Sequence, residues 1–358
     1  MPSTKIITLA VFLLVIIMGG FFVFFANSQD ETILNQPPVE SANSLVNQIA
    51  MACQDQGNWG LYMQDQAGGK TSLIVDSAQN ELAPIIEPSN NSLIYILEEE
   101  IYNRIAEYSL INQEKNNLIF TKNDISTIKL SPNGRRLLYT ENSDGGQDLF
   151  YYDADLDQLN KVSGEVVSFG WFLDSNKFVY IRDNKMLLAT INPISNELDK
   201  DLEIVEGIAS PQAVPGASDL FIAAKQTDDG ISLVLVDTKQ KTIKDFSQIE
   251  FAPDSNSTFN MTYAPDQSYI ILSIINQANQ KAKVWLINRT GQTVQGVLSD
   301  VMAPIWSSDS QYLLYSKVDA ESNQNIWSYN IVTKEEEQLT SLNNCQSPNV
   351  ASSLTNKK

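Results

Sequence analysis

Any chemistry in this chain has to be done without histidine. Its 358 residues include none, against 43 Asp and Glu, 24 Lys and Arg and two Cys. Ser-His-Asp and Cys-His catalysis, His-ligated zinc and the HExxH protease arrangement all need an imidazole, so all are excluded together. Lysine chemistry and paired-carboxylate acid–base chemistry stay available. The chain contains no GxxxxGK(S/T) phosphate loop, no GxGxxG turn and no GxSxG elbow. Asp153-Ala154-Asp155-Leu156-Asp157 resembles the start of a calcium loop. A calcium loop needs Gly at its sixth position and Glu at its twelfth, and these are Gln158 and Gly164. The run therefore reads as an acidic turn, and neither a metal nor a cofactor is expected. The formal charge of −19 repels nucleic-acid phosphates and suits a cationic partner or Ca²⁺.

These residues must be positioned by a repeat. Its best copy is Leu130-Ser131-Pro132-Asn133-Gly134, followed by Arg135, Arg136 and the apolar run Leu137-Leu138-Tyr139. Taking the Pro132 column as the marker, the equivalent positions are Pro88, Leu173, Pro215, Pro265, Ser308 and Pro348, some 40 to 50 residues apart. Behind each marker comes an apolar strand, a Gly/Asn/Asp turn, a second strand rich in aromatic and β-branched residues, another polar turn and a short last strand. Examples are Arg136–Thr140, Leu149–Asp153 and Leu159–Val162. β-Branched and aromatic residues suit a pleated, half-buried surface, and Gly, Asn and Asp suit the turns. A period of about 40–45 residues with four short strands per unit marks a β-propeller. The expected fold is thus all-β, a propeller of seven blades, with six as the alternative. An open sandwich also has closely spaced strands but gives no reason for markers in register.

The chain ends complete the count. Trp59–Met63 and Thr71–Val75 match the last two strands of a unit that lacks its beginning, and Gln346-Ser347-Pro348-Asn349 offers that beginning. One blade is expected to be built from both ends. Cys53 and Cys345 each lie just before one half of it, so ring closure would bring them together as a disulfide; two separate buried thiols are the plainer alternative. Trp171, Tyr263 and Trp306 sit near the marker. They are expected either to wedge between blades or, where they open onto a propeller face, to contact a ligand.

Residues 6–26 carry no charge, and as a helix they span about 31 Å, enough for a bilayer core. Lys5 precedes the stretch, and no Lys or Arg follows until Lys70. The positive-inside rule then puts residues 1–5 in the cytoplasm and the propeller outside it. A cleaved signal peptide is the alternative, although the run is long and ends Phe24-Phe25-Ala26. Residues 27–52 read as a linker, with a short helix over 44–51; residues 53–350 read as the propeller and 351–358 as a tail.

The marker and strand order resemble the TolB-like, WD-like propeller repeats, whose pattern runs roughly Trp-Ser-Pro-Asp-Gly, apolar strand, polar turn, aromatic strand, Asp-centred turn. Ser131–Asp153 matches best, then Trp306–Tyr329 and Tyr263–Ile287. Trp171-Phe172-Leu173-Asp174 lacks the Pro, and Val214-Pro215-Gly216 lacks the Asp. The resemblance covers Trp59 to about Val350 and implies a fold, since such propellers serve as binding platforms, regulators and enzyme caps. Proteins of the Tol system place a separate domain before a six-bladed ring, and only an anchor and linker are expected here. The expected function is therefore a membrane-tethered, non-enzymatic platform for protein or peptide partners outside the cytoplasm. The alternative is a propeller enzyme that acts on glycan or peptide through carboxylates.

Overall fold

The computed structural model describes residues 45–351, apart from 46, 56, 88, 90, 193, 194, 229, 252, 255, 256 and 343. The expected anchor (6–26), most of the linker, Pro88 and the tail beyond 351 lie outside the described residues. Among those described, no helix is long and apolar enough to cross a membrane.

The strands form five four-stranded sheets and one seven-stranded sheet. The seven-stranded sheet holds two four-stranded units, because the long strand Thr293–Trp306 serves both. Its first part pairs with Ala282–Asn288 and its last residues with Tyr312–Val318. Seven four-stranded blades result, numbered here from the N-terminus. From the ring axis outward, blade 1 is Cys345–Val350, Gln48–Asp55, Asn58–Asp65 and Ser72–Val75. Blade 2 runs from Asn80–Glu87 to Lys115–Thr121, blade 3 from Ile125–Leu130 to Gln158–Ser163 and blade 4 from Val166–Trp171 to Leu198–Glu206. Blade 5 runs from Ala209–Ala213 to Thr242–Ile249; blades 6 and 7 begin at Ser257–Tyr263 and within Thr293–Trp306.

Period-2 alternation explains why these blades stack. In Ser92–Glu98 of blade 2, Leu93, Tyr95 and Leu97 pack against blade 1, while Ile94 packs against blade 3. In Lys177–Arg182 of blade 4, Phe178 and Tyr180 face blade 3, and Val179 and Ile181 face blade 5. The core is accordingly seven separate apolar clusters, each filled from two neighbouring blades, with one between blade 7 and blade 1. A blade that exposed either face would lose roughly 1.5–3 kcal/mol per large apolar side chain, so the ring is stable only when closed.

Closure is made as expected by both chain ends, and Cys345 pairs directly with Cys53 on the adjacent strand, where the two form a disulfide. Two details differ from the sequence reading. Gln48–Met51, expected in a short helix, belong to the strand Gln48–Asp55, so the propeller begins before Cys53. The apolar spacing that suggests a helix arises because this strand is buried on both faces: Ile49 and Met51 toward blade 7, Ala50 and Ala52 toward blade 2.

The second difference concerns Pro348, which is not the counterpart of Pro132. Pro132 sits in a β-turn closed by Gly134 N–H donating to Ser131 C=O at 2.9 Å. Pro348 sits inside an inner strand, in a bulge where Ser347 and Pro348 together oppose Met51. The same bulge recurs at Ala83-Pro84, Ser210-Pro211 and Ala303-Pro304, with Ala83, Ser210, Ala303 and Ser347 all near φ +50°. Proline is tolerated there because a bulge leaves its missing N–H without a ladder partner. The turn counterpart falls four residues later, at 352, outside the described residues. Ser347-Pro348-Asn349 and Ser131-Pro132-Asn133 are the same tripeptide pattern in two backbone conformations, which is why composition alone confuses them.

Candidate functional site

The seven blades give the ring two ends. One collects the turns between first and second strands and between third and fourth strands; it is called the marker end. The other collects the second-to-third hairpins and the links between blades; it is called the hairpin end.

At the marker end the acidic turn is a fully used structural element. Asp153 Oδ1 accepts from the Asp155 and Leu156 backbone N–H groups, and Oδ2 accepts from Arg136 Nε at 2.9 Å and from the Tyr151 hydroxyl at 3.0 Å. Burial works to raise the Asp153 pKa, but the hydrogen bonds from Arg136 and Tyr151 and the Arg136 charge outweigh it. The carboxyl is held below its ordinary value. Asp237 and Asn330 accept the same backbone bonds in blades 5 and 7, and Asn288 caps the blade 6 turn from Thr290 and Gln292 N–H. Neighbouring turns are also joined: Asn133 N–H donates to Ser175 Oγ, Asp266 N–H to Ser310 Oγ and Ser308 N–H to Gln66 Oε1. Arg136 reaches the Ser175 carbonyl at 2.9 Å. Among the described residues no group of three Asp, Glu or Cys is arranged to hold a metal.

The aromatic candidates do not converge. Trp171 is 8% exposed and donates from its indole to the Lys129 carbonyl of blade 3; Trp306 is 4% exposed and donates to the Thr262 carbonyl of blade 6. Both wedge their own blade against the preceding one. Tyr263 is partly buried in the cluster between blades 5 and 6, and burial pushes its hydroxyl up to about 12. Lys129 is a residue the sequence reading missed. It lies on the inner strand of blade 3, its ammonium donates to the Phe169 carbonyl at 2.7 Å and sits 5.1 Å from the Phe169 ring, and burial lowers its pKa to about 8. An isolated Lys in a strand carries no sequence signal of that packing.

At the hairpin end carboxylates far outnumber cations, with Lys122, Arg182, Lys185 and Lys281 as the basic residues of its loops. Between blades 1 and 2, and bounded by the link to blade 3, this end opens a groove of about 650 Å³ under the Glu98–Asn103 hairpin. The hairpin begins where strand Ser92–Glu98 leaves the sheet and holds itself through Glu99 N–H donating to the Tyr102 carbonyl. Glu99 is paired with Arg104 at 3.0 Å, and Glu98 accepts from Asn80 at 2.9 Å. Glu100 has no cation partner among the described residues. Ile101 and Tyr102 are 67% and 41% exposed, and the Lys122 ammonium lies 5.8 Å from the Tyr102 ring. Asn103, only 7% exposed, donates from Nδ2 to the Asn123 carbonyl and to Asp124, while its Oδ1 accepts nothing. No rule of spacing marked this hairpin in the sequence; a run of three Glu before an Ile-Tyr pair reads as a solvated turn.

No protein-family model matches the chain, and a search of curated proteins found no match. Solved structures do match. TolB from Acinetobacter baumannii superposes with a TM-score of 0.56 at 13% identity, over 86% of this chain and 67% of that one. The β-propeller domain of the Trilobed protease from Pyrococcus furiosus gives 0.55 at 11% identity, over 83% and 92%. An oligogalacturonate lyase from Vibrio parahaemolyticus gives 0.52 at 13% identity, over 82% and 84%. At such identities a likeness carries the architecture and not the activity, and the three named proteins already differ in what they do. In fold, this chain is a TolB-like β-propeller.

Proposed function

We propose that this protein is a membrane-tethered, extracytoplasmic propeller that presents its hairpin end to a protein or peptide partner, without catalysing a reaction. The observation that carries this reading is the unequal chemistry of the two ends. Turn side chains at the marker end are largely bonded to one another, whereas the hairpin end keeps a large surplus of carboxylates around an open groove, with Ile101 and Tyr102 exposed beside it. A propeller enzyme working through carboxylates needs two acids converging on one cavity. Asp153, the most perturbed acid, is instead neutralised by Arg136 and covered by its own turn.

Chain direction supports the orientation. The described chain begins at Leu45 and enters blade 1 at Gln48, and Gln66 N–H bonds to the Asn47 carbonyl, which places this entry at the marker end. An anchor at residues 6–26 would hold the marker end toward the bilayer. That end carries Lys70, Arg135, Lys177, Lys239, Arg289 and Lys334, a more balanced charge than the opposite end, and so meets anionic headgroups with less repulsion. The hairpin end then points outward. Labelling of single cysteines with a membrane-impermeant reagent in intact cells tests the topology: substitutions at Asp144 and Glu321 should react from outside. Reaction only after lysis would overturn it.

A further inference from the structure

We infer that the groove under the Glu98–Asn103 hairpin binds an extended, lysine- or arginine-bearing segment of a protein partner; this deepens the platform reading and rests on it. Three observations meet at this place. First, the lining is charged for a cation: Glu98, Glu99, Glu100 and Asp124 line it with Lys122 as the one basic residue, and Glu100 is unpaired among the described residues. Second, Ile101 and Tyr102 stand exposed beside those carboxylates. A long basic side chain can lay its methylenes along such a surface while its head reaches the acids, and an aromatic face attracts a cation. The protein's own Lys122 already occupies the Tyr102 face at 5.8 Å, which shows the site accepting the chemical group proposed. Third, and independent of the acids, the buried Oδ1 of Asn103 has no donor. Its orientation is set by Nδ2, which has acceptors in Asn123 and Asp124, so the carbonyl oxygen is left with an open lone pair. Leaving such an acceptor unsatisfied is unfavourable, and because the oxygen is sealed in the closed hairpin, an N–H from an extended segment relieves it only where binding shifts the hairpin. A metal ion fits less well, because three of the four lining carboxylates, Glu99, Glu98 and Asp124, already accept from Arg104, Asn80 and Asn103, which leaves Glu100 alone with both oxygens open among the described residues.

The test uses the folded protein with two acetylated octapeptides, one alternating Lys and Ser and one alternating Glu and Ser, titrated at about 50 and 200 mM salt. The Lys peptide is expected to bind and to weaken with salt, and the Glu peptide not to bind. Glu100→Gln and Tyr102→Ala are each expected to lower affinity by about 3- to 10-fold, since an exposed ion pair or cation–π contact contributes of that order. Glu321→Gln, at the same end in blade 7, controls for diffuse acidity. If it weakens binding as much as Glu100→Gln, or if both peptides bind alike, the groove is not the site. Failure of the groove is separable from failure of the platform by placing a photo-crosslinker at residue 102 or at residue 228, in the blade 5 hairpin at the same end, in native membranes. A partner trapped at 228 and not at 102 overturns the groove and keeps the platform; capture at neither, together with no peptide binding, overturns both.

Discussion

At the marker end of the ring, turns of similar sequence bond to themselves and to the next turn. At the hairpin end, loops of unlike length and sequence project from the same scaffold; some cap themselves, as at Asn276 and Asp319, and others do not, as at Glu98–Asn103. Both ends are built by the same seven blades, so the difference lies in what the turns do. Where a side-chain oxygen caps its own turn, as Asp153, Asp237 and Asn330 do, the residue type is constrained and little is left over for a partner. Where the hairpin closes through a backbone bond from Glu99 to Tyr102 and one side-chain pair, Glu99 with Arg104, the side chains of Glu100, Ile101 and Tyr102 are left to be chosen for binding. The acidic run that looks most like a site in the sequence is therefore structural. The run that looks like an ordinary solvated turn lines a groove of about 650 Å³.

The comparison breaks most sharply at Asp153. Asp153→Ala leaves Arg136 buried without its partner and is expected to cost about 3–5 kcal/mol in urea unfolding. A loss under about 1 kcal/mol would mean that the marker end is not held by this network. Because the folded-state pKa of Asp153 lies below its unfolded value of about 3.9, its stabilisation is present above that pH and is lost as the pH falls through the folded value. Wild-type stability should thus drop below about pH 4, and that of Asp153→Asn should drop less.

The hairpin end has its own fastening. Cys53 and Cys345 lie where the two chain ends meet on that side, and their bond spans 292 residues of sequence. The chain-entropy model puts a loop of that length on the order of 5 kcal/mol, and removal of native disulfides typically costs about 2–5 kcal/mol. Cys53→Ala with Cys345→Ala is expected to lower the thermal midpoint accordingly. An unchanged midpoint would show that the apolar cluster between blades 7 and 1 closes the ring unaided.

Lys129 is expected to have a smaller effect, seen in pH dependence. Its folded-state pKa of about 8 lies below the unfolded value of about 10.5, so between these values the unfolded chain binds more protons. Stability from this group should therefore rise with pH from about 8 to 10, before the buried tyrosines begin to oppose it. Lys129→Met should remove the rise; a profile identical to wild type would mean that the amine is hydrated in solution. The smallest effect on stability is expected at the groove: Glu100→Gln and Tyr102→Ala should each stay within about 0.5 kcal/mol, as substitutions of exposed residues usually do. A larger loss would make the hairpin a structural element like the acidic turn.

Much of the fold is legible in the chain because a propeller repeats its rules. Alternation in Leu93 to Leu97 and in Phe178 to Ile181 states that both faces of a strand are buried, and that pattern recurs at a fixed period. The disulfide follows from where the repeat starts and stops. Two short-range signals misled. Ile49 and Ala50 read as helical because a strand buried on both faces has lost its polar-apolar contrast, and Pro348, correctly placed in the closing strand, aligned with the turn residue Pro132 because both sit in a Ser-Pro-Asn tripeptide.

The sequence by itself determined the architecture, the split blade, the cysteine pair and the absence of imidazole chemistry, since period, turn residues and composition are local properties of the chain. Only the tertiary structure decided which residues are spent and which are available. Asp153 and Glu100 are both acids in short turns, and nothing in their neighbours' names separates them. One is sealed because blade 3 brings Arg136 and Tyr151 onto it. The other stays open because blades 1 and 2 and the link to blade 3 come together around it and leave a space, and such a meeting of distant segments is not written in any one of them.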